Sequence, residues 1–162
     1  MSKADDLLKK HEEFLFEKAA KYCAYQPRCT NEVMTKLKQL GANEKSAYKI
    51  ILSLKNEGFI NDELFAEYFA VGKNRNNHWG KFRIIFELKR KGLTDDIINK
   101  ALESIDHLEY NSILERLAEK KINSVKGDDK NIIFQKTMAY LVNKGFEKEL
   151  AYSVLNKLIN NK

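Results

Sequence analysis

The residues best suited to chemistry lie between Lys73 and Lys91, where basic side chains are concentrated. This stretch holds seven basic residues and one acidic residue, so its formal charge of +6 equals that of the whole 162-residue chain. Positive charge gathered around an aromatic ring is suited to binding anions, such as nucleic-acid phosphates or an acidic protein surface. The alternative is that these side chains form a charged face that contacts only solvent. The candidate binding residues are Lys73, Arg75, Trp79, Lys81, Arg83, Lys89, Arg90 and Lys91.

Trp79 is the only tryptophan of the chain, and it stands beside Gly80 within this basic stretch. Its ring is suited to stack on a nucleic-acid base or on a side chain of a partner. It is equally suited to fill the space between two helices. The sequence leaves both interpretations open.

Motifs for catalysis and metal binding are missing from the sequence. The histidines His11, His78 and His107 stand far apart, and the chain has no HExxH motif, Gly-rich phosphate loop or GxSxG motif. Cys23 and Cys29 lack CxxC spacing, so we expect two free thiols rather than a metal site or a disulfide. The sequence therefore predicts a protein that is not an enzyme and needs no cofactor.

The composition is typical of a globular protein, with 43% apolar and 32% charged residues. No run approaches the roughly 18 apolar residues that a membrane span requires. The first residues carry acids where a signal peptide would be basic and then apolar. We therefore expect a cytoplasmic protein without contact to a membrane. The protein is also expected to be a monomer.

The apolar residues recur at helical spacing throughout, and no alternating pattern typical of a strand is present. Nine helices are predicted, beginning near residues 4, 30, 43, 62, 80, 94, 108, 129 and 147. Thr30 is expected to cap the second helix. Either Asn61 or Asp62 is expected to open the fourth, and Asp62 is most simply interpreted as a helix cap. The fourth helix is expected to end at Lys73, where a loop over residues 74–80 begins.

Three glycines mark a repeat along the chain. Gly41, Gly92 and Gly145 are spaced by 51 and 53 residues, and a leucine stands four residues before each of them. Such agreement around a glycine between two helices predicts copies of one unit, stacked so that they share a core. The predicted fold is all-α, with three tandem three-helix repeats in an elongated, curved array of right-handed type. The predicted parts are a leader of unassigned role at 1–17 and repeats at 18–58, 59–106 (the basic repeat) and 107–162.

The apolar residues of the basic stretch are expected to anchor it to the core. This set consists of Phe82, Ile84, Ile85, Phe86 and Leu88. The fourth helix is likewise expected to bury a broad stripe, made of Leu64, Phe65, Tyr68, Phe69 and Val71. The corner at Gly41 resembles a helix-turn-helix reader of DNA, but its second helix offers a mixed set of polar side chains for reaching base edges. An architectural role is therefore favoured over base reading.

Several segments resemble the bacterial RecX family, whose members regulate the RecA recombinase. They are GFINDELFAEYF (58–69), HWGKFRIIFELKRKGL (78–93) and LVNKGF (141–146), and the resemblance covers residues 18–158 with all three repeats. The resemblance implies an all-helical repeat protein that binds the RecA filament in its deep helical groove. It also implies restraint of filament growth and of RecA recombinase and ATPase activity in homologous recombination, DNA repair and the SOS response.

The resemblance implies a second partner besides RecA, because some members of the family bind DNA without sequence preference. The expected nucleic acid is single-stranded DNA, with duplex DNA left open. Two other functions remain open from the residues alone. One is a helix-turn-helix-like DNA-binding transcription regulator, and the other is a helical-repeat scaffold that contacts no nucleic acid.

Overall fold

The computed structural model describes residues 2–127 and 129–160, and across these residues the chain forms nine α-helices and no strand. The helices are α1 (Lys3–Tyr25), α2 (Thr30–Gln39), α3 (Glu44–Asn56), α4 (Asp62–Asn77), α5 (Lys81–Arg90), α6 (Asp95–Glu103), α7 (His107–Ser124), α8 (Lys130–Asn143) and α9 (Lys148–Asn160). The predicted all-α class is confirmed. The chain divides into two compact units, one up to Phe65 and one from Ala66 onward. Among the described residues, no helix combines the length and apolar character that a membrane span needs.

The first unit is built on one core between α1, α2 and α3. Leu15 and Ala19 of α1, Leu37 of α2 and Leu54 of α3 are completely buried in it. Their burial is the main source of stability, at about 1.5–3 kcal/mol for each large apolar side chain. The side chain of Asn43 accepts the N–H of Ser46 and caps α3 as predicted.

The cap of α2 differs from the prediction, and the structure decides between the two residues predicted at the start of α4. Cys29 is the residue that precedes α2, and Thr30 donates both its backbone N–H and its hydroxyl to the Asp62 carboxylate, at 2.8 and 2.7 Å. Asn61 caps α4 by accepting the N–H of Leu64 at 3.1 Å. The prediction that Thr30 is the cap of α2 is therefore wrong. Of the two residues expected to open α4, Asn61 is the cap and Asp62 is the first helical residue, whose side chain caps α2 instead. Asp62 thereby ties α4 to α2, where a negative charge suits the helix dipole.

The three glycine corners share one backbone geometry. Each glycine has a φ between +81° and +100°, a region that residues with a side chain avoid. The leucine four residues before each glycine is completely buried. Its carbonyl accepts the N–H of the residue after the glycine at 3.0 to 3.2 Å, as in the Schellman motif that ends many helices. The pairs are Leu37 with Gly41, Leu88 with Gly92, and Leu141 with Gly145. The predicted helical repeat is confirmed.

In the second unit, the Gly145 corner holds the N-terminus of α5. The N–H of Gly80 donates to the Lys144 carbonyl at 2.8 Å, and the N–H of Phe82 donates to the Gly145 carbonyl at 2.9 Å. Only a glycine permits this approach at position 80, because a Cβ there would stand 2.2 Å from the carbonyl carbon of Gly145. The start of α5 is therefore bonded to protein, where helices otherwise leave their first N–H groups without a partner.

Tyr110 of α7 completes the attachment of α5. Its buried hydroxyl accepts the N–H of Lys81 at 3.0 Å and donates to the carboxylate of Glu147. Its ring packs against Phe146, with 5.3 Å between the centroids. Burial, followed by the bond to Glu147, raises the pKa of Tyr110 far above its usual value, so the hydroxyl keeps its proton and remains a donor.

Two predicted apolar stripes are only partly buried. On α5, Ile84 and Leu88 are completely buried, but Phe82 and Phe86 are each 60% exposed. Residues two positions apart lie about 200° apart around a helix axis, so the two phenylalanines face away from Ile84 and Leu88. The prediction that they anchor α5 to the core is wrong.

The predicted apolar stripe of α4 is also only partly buried, because the side of a helix that faces away from the core stays in solvent. Phe65 is buried, Phe69 and Val71 are half-buried, and Leu64 and Tyr68 are exposed.

Candidate functional site

The end of α4 positions the aromatic part of the site. α4 continues to Asn77, one turn beyond the predicted end at Lys73, and His78 then reverses the chain with a φ of +56°. The buried side chain of Asn74 donates to the Trp79 carbonyl at 2.9 Å, and the N–H of Trp79 donates to the Lys73 carbonyl at 3.2 Å. These two bonds fold Trp79 back against α4 and explain why the predicted loop is mostly helix.

The Trp79 ring is half-buried against Phe69, in an edge-to-face arrangement with centroids 6.1 Å apart. The ammonium group of Lys73 lies 5.0 Å from the Trp79 ring centre, and the guanidinium group of Arg83 lies 4.4 Å from it. The ammonium group of Lys91 lies 5.7 Å from the Phe69 ring centre. We call Phe69, Lys73, Trp79, Arg83 and Lys91 the cation–aromatic cluster.

The cluster gathers three positive charges around two rings. A cation over an aromatic face gains about 0.5–1 kcal/mol at an exposed site, which orders a long side chain without neutralising its charge. The rings therefore help to hold the cations of Lys73, Arg83 and Lys91 in place, close to one another. Because Trp79 is covered by Phe69 and two cations, its position agrees better with filling a gap between helices than with an open stacking platform.

Lys144 adds a fourth cation that the sequence did not single out. Its ammonium group donates to the Asn77 carbonyl at 2.9 Å. Burial, followed by repulsion from Arg83, lowers the pKa of Lys144. The repulsion shows that Lys144 lies close to Arg83 of the cluster. In the sequence, Lys144 could have been noticed because it stands directly before Gly145. The fold brings the corner at Gly145 against the start of α5.

The structure places the other candidate cations outside the cluster. Arg75 forms a bidentate ion pair with Glu109, at 2.7 and 3.0 Å, and this pair raises the pKa of Arg75 and lowers that of Glu109. The remaining three each lie against a neighbour on or beside α5. Lys81 lies 5.0 Å from the ring centre of Tyr110, Lys89 lies 3.7 Å from the Asp95 carboxylate, and Arg90 lies 3.3 Å from the Glu87 carboxylate. Four of the eight predicted residues, Lys73, Trp79, Arg83 and Lys91, therefore come together.

Metal-binding side chains do not gather in the part of the chain that the structure describes. No group of three or more His, Cys, Asp or Glu residues is placed there to hold an ion. Cys23 and Cys29 are both buried thiols that form no disulfide, as expected, and burial raises the pKa of the Cys23 thiol. A raised pKa makes a thiol less reactive at neutral pH.

Comparisons with known proteins agree on one family. The model of "RecX, second three-helix domain" matches residues 61–102, and the model of "RecX, third three-helix domain" matches residues 109–155. The curated "Regulatory protein RecX" of Prosthecochloris aestuarii is 30% identical over 146 residues, which cover 89% of this chain and 93% of that protein. The protein of the same name from Clostridium perfringens (strain 13 / Type A) is 34% identical over 132 residues, or 80% of this chain. The match spans 61% of the length of that relative.

Solved structures resemble this chain over most of its length. The crystal structure of RecX from Lactobacillus salivarius gives a TM-score of 0.86 at 27% identity, covering 93% of this chain and 97% of that one. A second structure, described as regulatory protein RecX, gives a TM-score of 0.85 at 20% identity, covering 98% of this chain and 76% of that one. The second likeness concerns the fold alone.

Proposed function

Because the chain belongs to the RecX family of regulatory proteins, we propose that it binds the RecA–DNA filament and restrains RecA filament growth and RecA recombinase and ATPase activity. The proposed position is the helical groove of the filament, and the proposed mode of action is binding without chemistry. We also propose that the protein is a cytoplasmic monomer that acts in homologous recombination, DNA repair and the SOS response. The proposed division of the chain is a leader at 1–17 and repeats at 18–58, 59–106 and 107–162.

The observation that carries the proposal is the cation–aromatic cluster. Its three cations lie within residues 61–102, the part that matches the second three-helix domain of the family. Nothing in the packing of α5 requires this excess of charge, because Ile84 and Leu88 form the buried side of the helix. A bound anion explains the excess, and the anions that a filament offers are DNA phosphates and carboxylates of RecA.

The cluster suits contacts to a phosphate backbone better than recognition of a sequence. Lysine and arginine side chains that bind phosphates position a protein without reading bases. The rings of Phe69 and Trp79 hold the cations of the cluster, which reduces the side-chain entropy that a bound phosphate must overcome. We therefore propose binding to single-stranded DNA, and to duplex DNA in the same way, without sequence preference.

The test compares two variants that lose the same charge within the second unit. The cluster variant carries Lys73→Gln, Arg83→Gln and Lys91→Gln. The control variant carries Lys120→Gln, Lys136→Gln and Lys157→Gln, three exposed lysines outside the cluster. Co-sedimentation with RecA on single-stranded DNA measures binding, and ATP hydrolysis by RecA measures inhibition. Circular dichroism confirms that both variants are folded.

We expect the cluster variant to bind the filament at least tenfold more weakly than the control, with a matching loss of inhibition. For contacts to single-stranded DNA, the slope of log K against log salt should decrease by about 0.7 per lost phosphate contact, or about 2 for all three. Equal inhibition by the two variants would refute the role of the cluster. Tight binding of a dimer to one duplex sequence would instead indicate a transcription regulator. Salt-insensitive binding of a protein without any DNA contact would indicate a scaffold.

A further inference from the structure

A groove lies beside Phe82, on the side of α5 that faces away from Ile84 and Leu88. Its volume is about 540 Å³, which is within the range of ligand pockets. The lining residues are Phe82, Val142, Phe146, Glu147, Lys148 and Glu149. The groove therefore has an apolar floor from α5 and the Gly145 corner, and a charged rim at the start of α9.

The groove is held in shape by bonds on both of its sides. The backbone of Phe82 is bonded to the Gly145 carbonyl, and Phe146 is almost completely buried against the Tyr110 ring. Glu147 is fixed because its carboxylate accepts the Tyr110 hydroxyl. A groove that is already formed before binding loses little conformational entropy when a ligand enters.

The apolar surface extends beyond the groove along α5. Phe82 and Phe86 stand one helical turn apart on the same side, and each exposes 60% of its surface. Contiguous exposed aromatic surface is typical of protein-interaction sites. Because this surface continues past the groove, it suits a polypeptide segment better than a small molecule that would fill the groove alone.

The charges near the groove indicate which segment would fit. On the side of α5 that carries the phenylalanines, Lys89 and Arg90 lie against acids, Asp95 and Glu87. This face is therefore poorly suited to phosphates.

The rim carries one cation, Lys148, and two carboxylates, Glu147 and Glu149, so its formal charge is 1 − 2 = −1. Glu147 is bonded to Tyr110, whereas Glu149 lies exposed in the first turn of α9, where a cation can approach it.

We propose that the groove docks an aromatic or aliphatic side chain of a partner protein that stands next to a lysine or arginine. The apolar side chain lies on Phe82, Val142 and Phe146, and the neighbouring cation pairs with Glu149. This site is separate from the cation–aromatic cluster. A docking site for such a segment goes beyond the proposed function, because the partner that carries the segment need not be part of the RecA–DNA filament.

The test selects phage-displayed random 12-residue peptides on the wild-type protein and measures their affinity for three variants. Phe82→Ser removes the apolar floor, and circular dichroism checks that the variant is folded. Phe14→Ser is the matched control, because Phe14 is also an exposed phenylalanine but lies in the first unit. Glu149→Lys reverses the charge of the rim. Glu147 is left unchanged because it supports Tyr110.

Selected peptides are expected to carry an apolar residue beside a lysine or arginine. Their binding should weaken at least tenfold with Phe82→Ser and stay unchanged with Phe14→Ser. Selection on Glu149→Lys should favour peptides with an acid next to the apolar residue. Failure to select any peptide, or equal binding to Phe82→Ser and wild type, overturns the proposal. Selected peptides without a basic residue overturn the assigned role of Glu149.

Discussion

The corners at Gly41 and Gly145 have the same local structure but different surroundings. In both, a completely buried leucine accepts the N–H of the residue after a glycine of positive φ. A Cβ on Gly41 would meet no described atom within 4 Å, whereas a Cβ on Gly145 would stand 2.5 Å from the Cβ of Arg83 and 2.6 Å from its backbone nitrogen. The first corner ends a helix, and the third also supports α5.

The difference shows that one repeat element can serve two purposes. At Gly41, glycine is needed for its backbone conformation alone. At Gly145, glycine is needed for its conformation and for its lack of a side chain, because the backbone of Arg83 lies against it. Since Arg83 belongs to the cation–aromatic cluster, the third corner is also the part of the fold that positions the candidate site.

The largest expected effect is the loss of stability caused by Gly145→Ala. A positive φ costs a residue with a side chain about 1–2 kcal/mol, and overpacking against fixed backbone adds about 1–3 kcal/mol. We therefore expect the free energy of unfolding of the second unit to decrease by about 2–5 kcal/mol. Urea denaturation followed by Trp79 fluorescence measures it, because the only tryptophan lies in this unit.

Gly41→Ala is the matched control for this substitution. It introduces the same strain in φ but no close contact, so we expect a loss of about 1–2 kcal/mol in the first unit. Circular dichroism in urea follows this transition. If the two substitutions cost the same, the contact between Gly145 and Arg83 contributes nothing and the comparison between the corners fails.

Tyr110→Phe tests the second bond that holds α5 to the third corner. The change keeps the ring but removes the hydroxyl that links the N–H of Lys81 to Glu147. A partly buried N–H and a carboxylate then lack their partner, and we expect a loss of about 1–3 kcal/mol. Denaturation followed by Trp79 fluorescence checks the value. An unchanged stability would mean that the backbone bonds of Gly80 and Phe82 hold α5 without help.

Asp62→Ala tests the corresponding contact in the first unit, where a carboxylate supports the start of α2. Its removal leaves the N–H and hydroxyl of Thr30 without their acceptor. Substituting a capping side chain by alanine usually costs about 1 kcal/mol, up to about 2 kcal/mol. Circular dichroism in urea measures the loss. Thr30→Val, which removes the hydroxyl but keeps the N–H, should cost less, and the opposite order would contradict the assigned role of Asp62.

The glycine corners could be predicted from the sequence because they depend on local chemistry. The spacing of Leu37, Leu88 and Leu141 before their glycines reports a helix that ends in a left-handed residue. The different surroundings of Gly41 and Gly145 could not be predicted. They depend on which backbone approaches the corner, and Arg83 is 62 positions away from Gly145 in the sequence.

The partners of the charged residues could not be predicted from the sequence either. The stretch between Lys73 and Lys91 could be identified by its charge, but charge alone does not tell which cations acquire an acidic partner. Arg75 meets Glu109, 34 positions further along the chain. The exposure of Phe82 and Phe86 left a signal in the sequence, since residues placed two positions from Ile84 and Leu88 cannot share their side of a helix.

The smallest expected effect is that of Arg75→Gln, which removes an exposed ion pair of the second unit. Arg75 lowers the pKa of Glu109 below its usual value of 4.5. The contribution of the pair to stability is therefore fully present above about pH 4.5 and is lost as the pH falls through the lowered pKa. We expect Arg75→Gln to be slightly less stable than wild type at pH 7, with a difference that shrinks at pH 3 and in high salt. Urea denaturation at both pH values, with Glu109→Gln and the double variant, isolates the contribution of the ion pair to stability.

Since Arg75 is paired with Glu109, the substitution Arg75→Gln should also leave filament binding unchanged. A large decrease in binding would return Arg75 to the set of binding residues.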